Sequence, residues 1–529
     1  MEGYSRRRFL TDLSLVGGSA FAFKLAATAG FAAGVPRAIA QEVQPSGAPA
    51  FKSAVELALM IRDKEISSVE LTQYFIDRIE RFDGILNAII VHDFDRALAA
   101  ARDADDALMR GELFGPLHGI PMTIKDSYDV AGLPTTWGIP EFADNIADSD
   151  SAMVASYKAA GAHFMGKTNI PLALWDFQSY NEIYGTTNNP WDVDRTPGGS
   201  SGGTAAALAA GLTGLDSGSD IGGSIRNPAH FCGVYGHKPT WGVVPRQGHA
   251  LPGSVAVPDL AVVGPLARSA EDLALAMDVV AGADTLNAPG WQLEMPEPRA
   301  RFLRDFRVAI WPTEDISPTD QVIVDRVQEI ADVLANGGAE VSDTARPEFS
   351  PRDAHYTYTN LLFSFTQSGV PDEVFEQNKN HAAGFSANDL SAEAIEARAA
   401  VLDHRGWLRH NNIRTQIRMQ WQRFFQDWDI VICPIMVTTA FPHDHGPISE
   451  RTLLVNGVET PFFDQLFWAG LATLGFLPST VFPVGLSEDG LPIGVQAIGA
   501  EFDDRTTIEF ARLMAEEIGG FMPPTGFED

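Results

Sequence analysis

Between Pro197 and Arg226 the chain reads PGGSSGGTAAALAAGLTGLDSGSDIGGSIR. This stretch limits the possible folds more than any other part of the sequence. Two clusters of glycine and serine, 198–203 and 218–224, flank an alanine-rich segment of good helix propensity. Glycine clusters let a backbone approach a ligand closely and turn successive N–H groups inward. Serines set among such glycines are candidate nucleophiles. Two flexible loops around a helix would be the plain alternative. The pairing of the clusters, with an apolar run ending in Lys125 upstream, favours a reactive site.

Around this stretch, helical and strand patterns alternate. Helices are expected from Ala54, over 67–81 behind a Ser67/Glu70 capping box, and over 93–110, 150–160, 269–280, 320–336 and 505–517. Short apolar runs at 120–124, 162–165, 306–310, 429–434, 478–481 and 494–498 read as strands. Residues 168–192 look irregular, 236–245 turn-rich and 285–305 a proline-rich connection, and 345–425 look mostly helical. This alternation predicts one α/β domain, with helices layered on a sheet.

The net charge of −31 opposes nucleic-acid binding, which needs a basic face, and disfavours anionic membranes. The first 40 residues stand apart. Ser5-Arg6-Arg7-Arg8-Phe9-Leu10 matches the twin-arginine export pattern, a weakly apolar run spans 13–33, and Ala38-Ile39-Ala40 offers a cleavage site. A signal peptide over 1–40, a linker over 41–50 and a periplasmic or secreted mature protein are expected. Cys232 and Cys433 read as buried thiols rather than a disulfide framework. No metal-ligand spacing is present, the nearest being His443-Asp444-His445.

Two motif matches conflict with their surroundings. Gly161 to Thr168 fits the G-x-x-x-x-G-K-T phosphate loop. Here, however, a helical pattern precedes the first glycine, and Pro171 soon follows Thr168. Gly198-Gly199-Ser200-Ser201-Gly202 fits the G-x-S-x-G elbow, which would make Ser200 the nucleophile of an α/β-hydrolase-type esterase. Residues 191–197 do not supply the strand that this elbow needs.

A reading that uses both clusters and the lysine is more economical. Ser224 ends Asp220-Ile221-Gly222-Gly223-Ser224, where N–H groups can face a developing oxyanion. Such a donor is typically worth about 3–4 kcal/mol in the transition state. No histidine stands in an obvious position to activate Ser224. Lys125 closes an apolar strand, and a buried lysine loses its proton readily. A second serine between them could relay the proton.

GGSSGG…GSDIGGSIRNPAHFCGVYGHKPT (198–240), GIPMTIKD (119–126), GKTN (166–169), YGTTNNPWD (184–192) and GLPIGVQAIG (490–499) together closely resemble the amidase signature family. The resemblance spans about residues 51–520 and is weakest over 285–425, a region that varies within the family. It implies a single large domain (51–529) with a central mixed sheet covered by helices on both faces. By this resemblance Ser224 is the acylated nucleophile, and Ser200, after a cis peptide bond, relays protons. Lys125 is the base, and the N–H groups of Ile221, Gly222, Gly223 and Ser224 form the oxyanion hole. Ser201, Ser219, Asp220 and Arg226 occupy supporting positions, and Leu174, Trp175 and Asp176 match an acyl-pocket segment. Leu172, His237 and Asp176 depart from common family residues. The implied protein is an exported, cofactor-independent acylamide amidohydrolase acting on a small-molecule amide, carbamate or ester. The family also contains components of tRNA-dependent amidotransferases, which an export signal would argue against.

Overall fold

The computed structural model describes residues 48–389 and 391–528. The expected leader (1–40) and most of the expected linker lie outside the described residues. The Ser67 capping box closes as the sequence predicts. Glu70 N–H donates to Ser67 Oγ (3.1 Å) and Ser67 N–H to Glu70 Oε2 (2.9 Å). The helix it opens runs over Ser68–Leu86, beyond the expected end, and Asn87 ends it at φ 52°.

Three strands form a small sheet: β1 (Ile89–His92), β2 (Pro121–Lys125) and β3 (His163–Thr168). β3 lies between the others, antiparallel to β1 and parallel to β2. The large mixed sheet has eight strands: β4 (Asp216–Asp220), β5 (Tyr235–Lys238), β6 (Val262–Ala267), β7 (Arg307–Ile310), β8 (Glu340–Ser342), β9 (Ile430–Cys433), β10 (Ser479–Leu486) and β11 (Pro492–Ile498). Their spatial order is β8-β7-β9-β11-β10-β5-β6-β4.

Apart from the edge strand β8, its strands are largely buried on both faces, and the side chains show it. Val308 and Ile310 join one apolar cluster and Ala309 the other; Ile430 and Ile432 likewise oppose Val431 and Cys433. This period-2 split is expected of a sheet sandwiched between helices. Helices Ala270–Val280, Gln321–Asn336 and Asp504–Ile518 cover one face. The other carries α1 (Gly202–Ala209), α2 (Arg226–Cys232), α3 (Pro351–Thr366) and α4 (Leu466–Leu474). Both cysteines are buried and free.

Two segments differ from expectation. Residues 236–238, read as the start of a turn-rich stretch, belong to β5, an inner strand of the large sheet. Gly236 marks a close approach there: a Cβ would lie 2.9 Å from Ala229 Cβ and 3.0 Å from Ile225 Cγ2, under α2. The start of the second Gly/Ser cluster is likewise strand β4, not loop.

The edge strand β4 meets β2 of the small sheet. Thr123 N–H donates to Leu215 O (3.3 Å) and Thr123 Oγ1–H to Asp216 Oδ2 (2.6 Å). That seam brings the end of β2, where Lys125 stands, against Ser219.

Candidate active site

Lys125 is wholly buried, and its Nζ faces three hydroxyls. Ser200 Oγ lies at 2.7 Å, Ser201 Oγ at 2.9 Å and Ser219 Oγ at 3.0 Å. Burial pushes the ammonium well below its ordinary range; Asp220 and Asp216 push back, and Arg246 adds to the lowering. Asp216, equally buried, is pushed up to about 7, although Thr123, the Ser217 N–H and Thr204 bond its carboxylate form.

The Gly199–Ser200 peptide bond is cis. Ser200 is 0% exposed, whereas Ser224 is 7% exposed. Accessibility therefore separates the two serines and disfavours the elbow reading, in which Ser200 would meet substrate. Ser201 N–H donates to Ser224 O at 3.2 Å, so the two Gly/Ser clusters are joined through backbone. One expected link is missing. Ser224 Oγ makes no hydrogen bond with Ser200 or any other described residue.

Asp220 and Arg226 hold the 221–225 loop. The Asp220 carboxylate accepts from Gly223 N–H (3.0 Å), Ile225 N–H (3.1 Å) and Arg226 Nε (3.0 Å) and Nη2 (2.9 Å). Arg226 continues to Gln496 Oε1 (2.9 Å) and Thr473 Oγ1 (3.0 Å), and both members of the ion pair are fully buried. Burial alone would raise the Asp220 carboxyl, but the Arg226 guanidinium brings it below its ordinary value. Gly223 N–H is thus committed to Asp220, which reduces the four expected oxyanion donors to three. The N–H groups of Ile221, Gly222 and Ser224 have no acceptor among the described residues.

Tyr358 on α3 donates to Ile221 O at 2.8 Å, and a Cβ on Gly222 would meet Leu466 Cδ2 of α4 at 3.3 Å. α3 and the short turn Phe462–Gln465 that leads into α4 bring aromatic side chains to Trp175. Its ring lies 5.5 Å from Phe363 and 6.0 Å from Phe463. Leu174 and Trp175 are half-buried beside this group, and Leu172 is exposed. Asp176 is buried on Arg451, with Nη1 2.7 Å from Oδ2, and Arg451 Nη2 reaches Tyr180 Oη at 2.8 Å. Sequence reasoning missed Arg451, Tyr358, Phe363 and Phe463. A polar Asp176 in an apolar segment signals a buried cation partner, but nothing local says which. His237 is also buried: Nε2 lies 3.1 Å from Asp504 Oδ1 and Nδ1 2.9 Å from Thr480 Oγ1.

The phosphate-loop match dissolves in the structure. Residues 163–168 form strand β3, and Lys167 is buried on Thr135 Oγ1 (3.0 Å) and Asp126 (3.2 Å).

Known proteins resemble this chain over most of its length. An indoleacetamide hydrolase of Bradyrhizobium diazoefficiens is 33% identical over 485 residues, covering 88% of this chain and 86% of its own. A component of the glutamyl-tRNA(Gln) amidotransferase of Acaryochloris marina is 32% identical over 456 residues, covering 82% and 92%. Among solved structures, a bacterial aryl acylamidase of the amidase signature family superposes with a TM-score of 0.76 at 26% identity, covering 90% of this chain and 99% of its own. A family model described as Amidase matches residues 70–508, and the chain belongs to the amidase signature family.

Proposed function

We propose that this protein is a serine amidase that cleaves a carboxylic amide C–N bond through an acyl-enzyme on Ser224. One observation carries the reading: a fully buried lysine, pushed toward its amine form, lies 2.7 Å from Ser200, a serine with no exposure, while Ser224 retains 7%. A neutral Nζ has two N–H groups and one lone pair. It gives the N–H groups to Ser201 and Ser219 and accepts the Ser200 hydroxyl proton.

Substrate binding turns Ser224 Oγ onto Ser200 Oγ, closing the contact left open at rest; catalytic hydrogen bonds are often loose before substrate arrives. Ser224 Oγ attacks the carbonyl carbon while its proton moves to Ser200 and the Ser200 proton to Lys125. The oxyanion is held by the N–H groups of Ile221, Gly222 and Ser224. Collapse breaks the C–N bond, and the proton stored on Lys125 returns through Ser200 to the departing nitrogen. Water repeats the cycle on the ester.

The half-buried Trp175 and Phe463, with Phe363 behind them, suit an amide bearing an aromatic group. The names of the similar indoleacetamide hydrolase and aryl acylamidase support that choice. We further propose that residues 1–40 direct twin-arginine export, on the strength of Ser5–Leu10 and Ala38–Ala40.

A panel of acyl anilides, arylalkyl primary amides, aliphatic amides and carbamates tests the reading on purified protein. The aromatic amides should turn over fastest, and Ser224→Ala should lower turnover on the order of 10⁴-fold or more. Activity kept in Ser224→Ala but lost in Ser200→Ala would return the elbow reading.

A further inference from the structure

Lys125 stands at the start of a turn that is braced from behind, and the brace carries an uncompensated charge. Asp129 N–H donates to Gly248 O at 2.8 Å, and the Tyr128 ring meets His249 edge-on at 4.6 Å. Ser127 Oγ lies 2.9 Å from His249 Nε2, and Arg246 Nη2 lies 2.9 Å from His249 Nδ1. A guanidinium has no lone pair to offer, so Nδ1 is the acceptor, and the imidazole carries its proton on Nε2 and donates to Ser127. The rest of the guanidinium is stranded. Arg246 Nε and Nη1 are buried with no acceptor, and no carboxylate among the described residues pairs with it.

We propose that Arg246 is a positioning residue for the catalytic base: its uncompensated guanidinium, held on His249 behind the 125–129 turn, adds to burial in keeping Lys125 Nζ an unprotonated amine. The other charged groups around the base largely cancel. Asp220 and Asp216, both on β4, favour the ammonium. Asp220 is already neutralised by Arg226, and burial keeps Asp216 partly protonated at neutral pH. Burial holds both the Tyr128 phenol and the His249 imidazole uncharged, and Lys167 is matched by Asp126. Burial brings Lys238, which acts on Asp220, down to about 7 and raises the Asp129 carboxyl that acts on Lys167, which leaves Arg246 as the cation of this group that stays charged without a carboxylate partner. Burial lowers its own guanidinium to about 10, so it stays cationic at neutral pH.

The proposal rests on Lys125 acting as base, and the experiment separates the two claims. The rate at which a fluorophosphonate labels Ser224 reads the base without a known substrate. Followed against pH in the wild type, Arg246→Lys, Arg246→Gln and Arg246→Met, it should show an acid limb. Loss of the charge should move that limb up by about one pH unit or more in Arg246→Gln and Arg246→Met. Labelling at high pH should stay within about tenfold of wild type in both, and Arg246→Lys should keep the wild-type limb. An unmoved limb in the neutral variants overturns the proposal, however much the rate falls. So does a chain that folds only with arginine or lysine at this position, since Arg246 would then serve folding. Lys125→Ala is the control. If it labels as fast as wild type, the base assignment itself fails; if it is inert while the limbs do not move, only the role of Arg246 fails.

Discussion

At the scale of single residues, burial decides what each group can do. Asp216 illustrates the sign. Its folded value, about 7, lies above the ordinary carboxylate value, so the folded chain keeps a proton that the unfolded chain has released. Its contribution to stability is full below the unfolded value and is lost as pH rises through the folded one. Asp216→Asn should therefore remove up to about one proton from the pH dependence of unfolding between about pH 4 and 7, measured by urea titrations across that range. The Asp176–Arg451 pair gives a second test. Both side chains are buried, so Arg451→Met strands a carboxylate and should cost about 3–5 kcal/mol in urea unfolding. Adding Asp176→Leu should recover most of that loss; no recovery would mean that Arg451 acts mainly through its bonds to Gly446 and Tyr180. Lys125, Ser200 and Ser224 are legible because their blocks are contiguous in sequence. Arg451 is not, since its partner lies 275 positions away and only the fold joins them.

At the scale of elements, glycine sets how closely segments pack around the proposed triad. A Cβ on Gly199 would lie 2.5 Å from Asp176 O and 2.7 Å from Gln178 N, both backbone atoms that cannot swing aside. Gly199→Ala should displace Ser200 relative to Lys125 and lower kcat by about 10²-fold. Overpacking should also cost roughly 1–3 kcal/mol of stability. Wild-type kcat in a folded Gly199→Ala variant would show that the site tolerates that shift. The same crowding explains where the sequence misleads about elements. Gly218 and Gly236 look like loop and turn residues, but each lies in a strand beneath a neighbour: Ser201 Oγ would sit 2.4 Å from a Cβ on Gly218. Small residues that permit a turn and small residues that permit close packing look alike in a sequence. The apolar runs at 306–310 and 429–434 carry no such ambiguity, and both are strands.

At the scale of the whole molecule, the α/β class follows from alternating patterns and the site from one family's blocks. The order of the eight strands is not legible, because β4 to β6 and β9 to β11 are far apart in sequence and their pairing depends on packing against both helical layers. No helix among the described residues is long and apolar enough to cross a membrane. The proposed export route depends on Arg6 and Arg7. With both changed to lysine, the mature protein should stay in the cytoplasm on cell fractionation; unchanged release would remove the twin-arginine assignment.

Of the three residues in the proposed relay, Ser224 alone retains any exposure, so departing amine and incoming water would both reach it at that serine. On the proposed mechanism the acyl-enzyme would wait, emptied of amine, for whichever small nucleophile enters next. Hydroxylamine should compete with water and divert part of the acyl group to a hydroxamate. The ratio of hydroxamate to acid should be the same for every amide with a common acyl group, whatever amine it carried. A ratio that follows the amine would mean that amine and water occupy the site together.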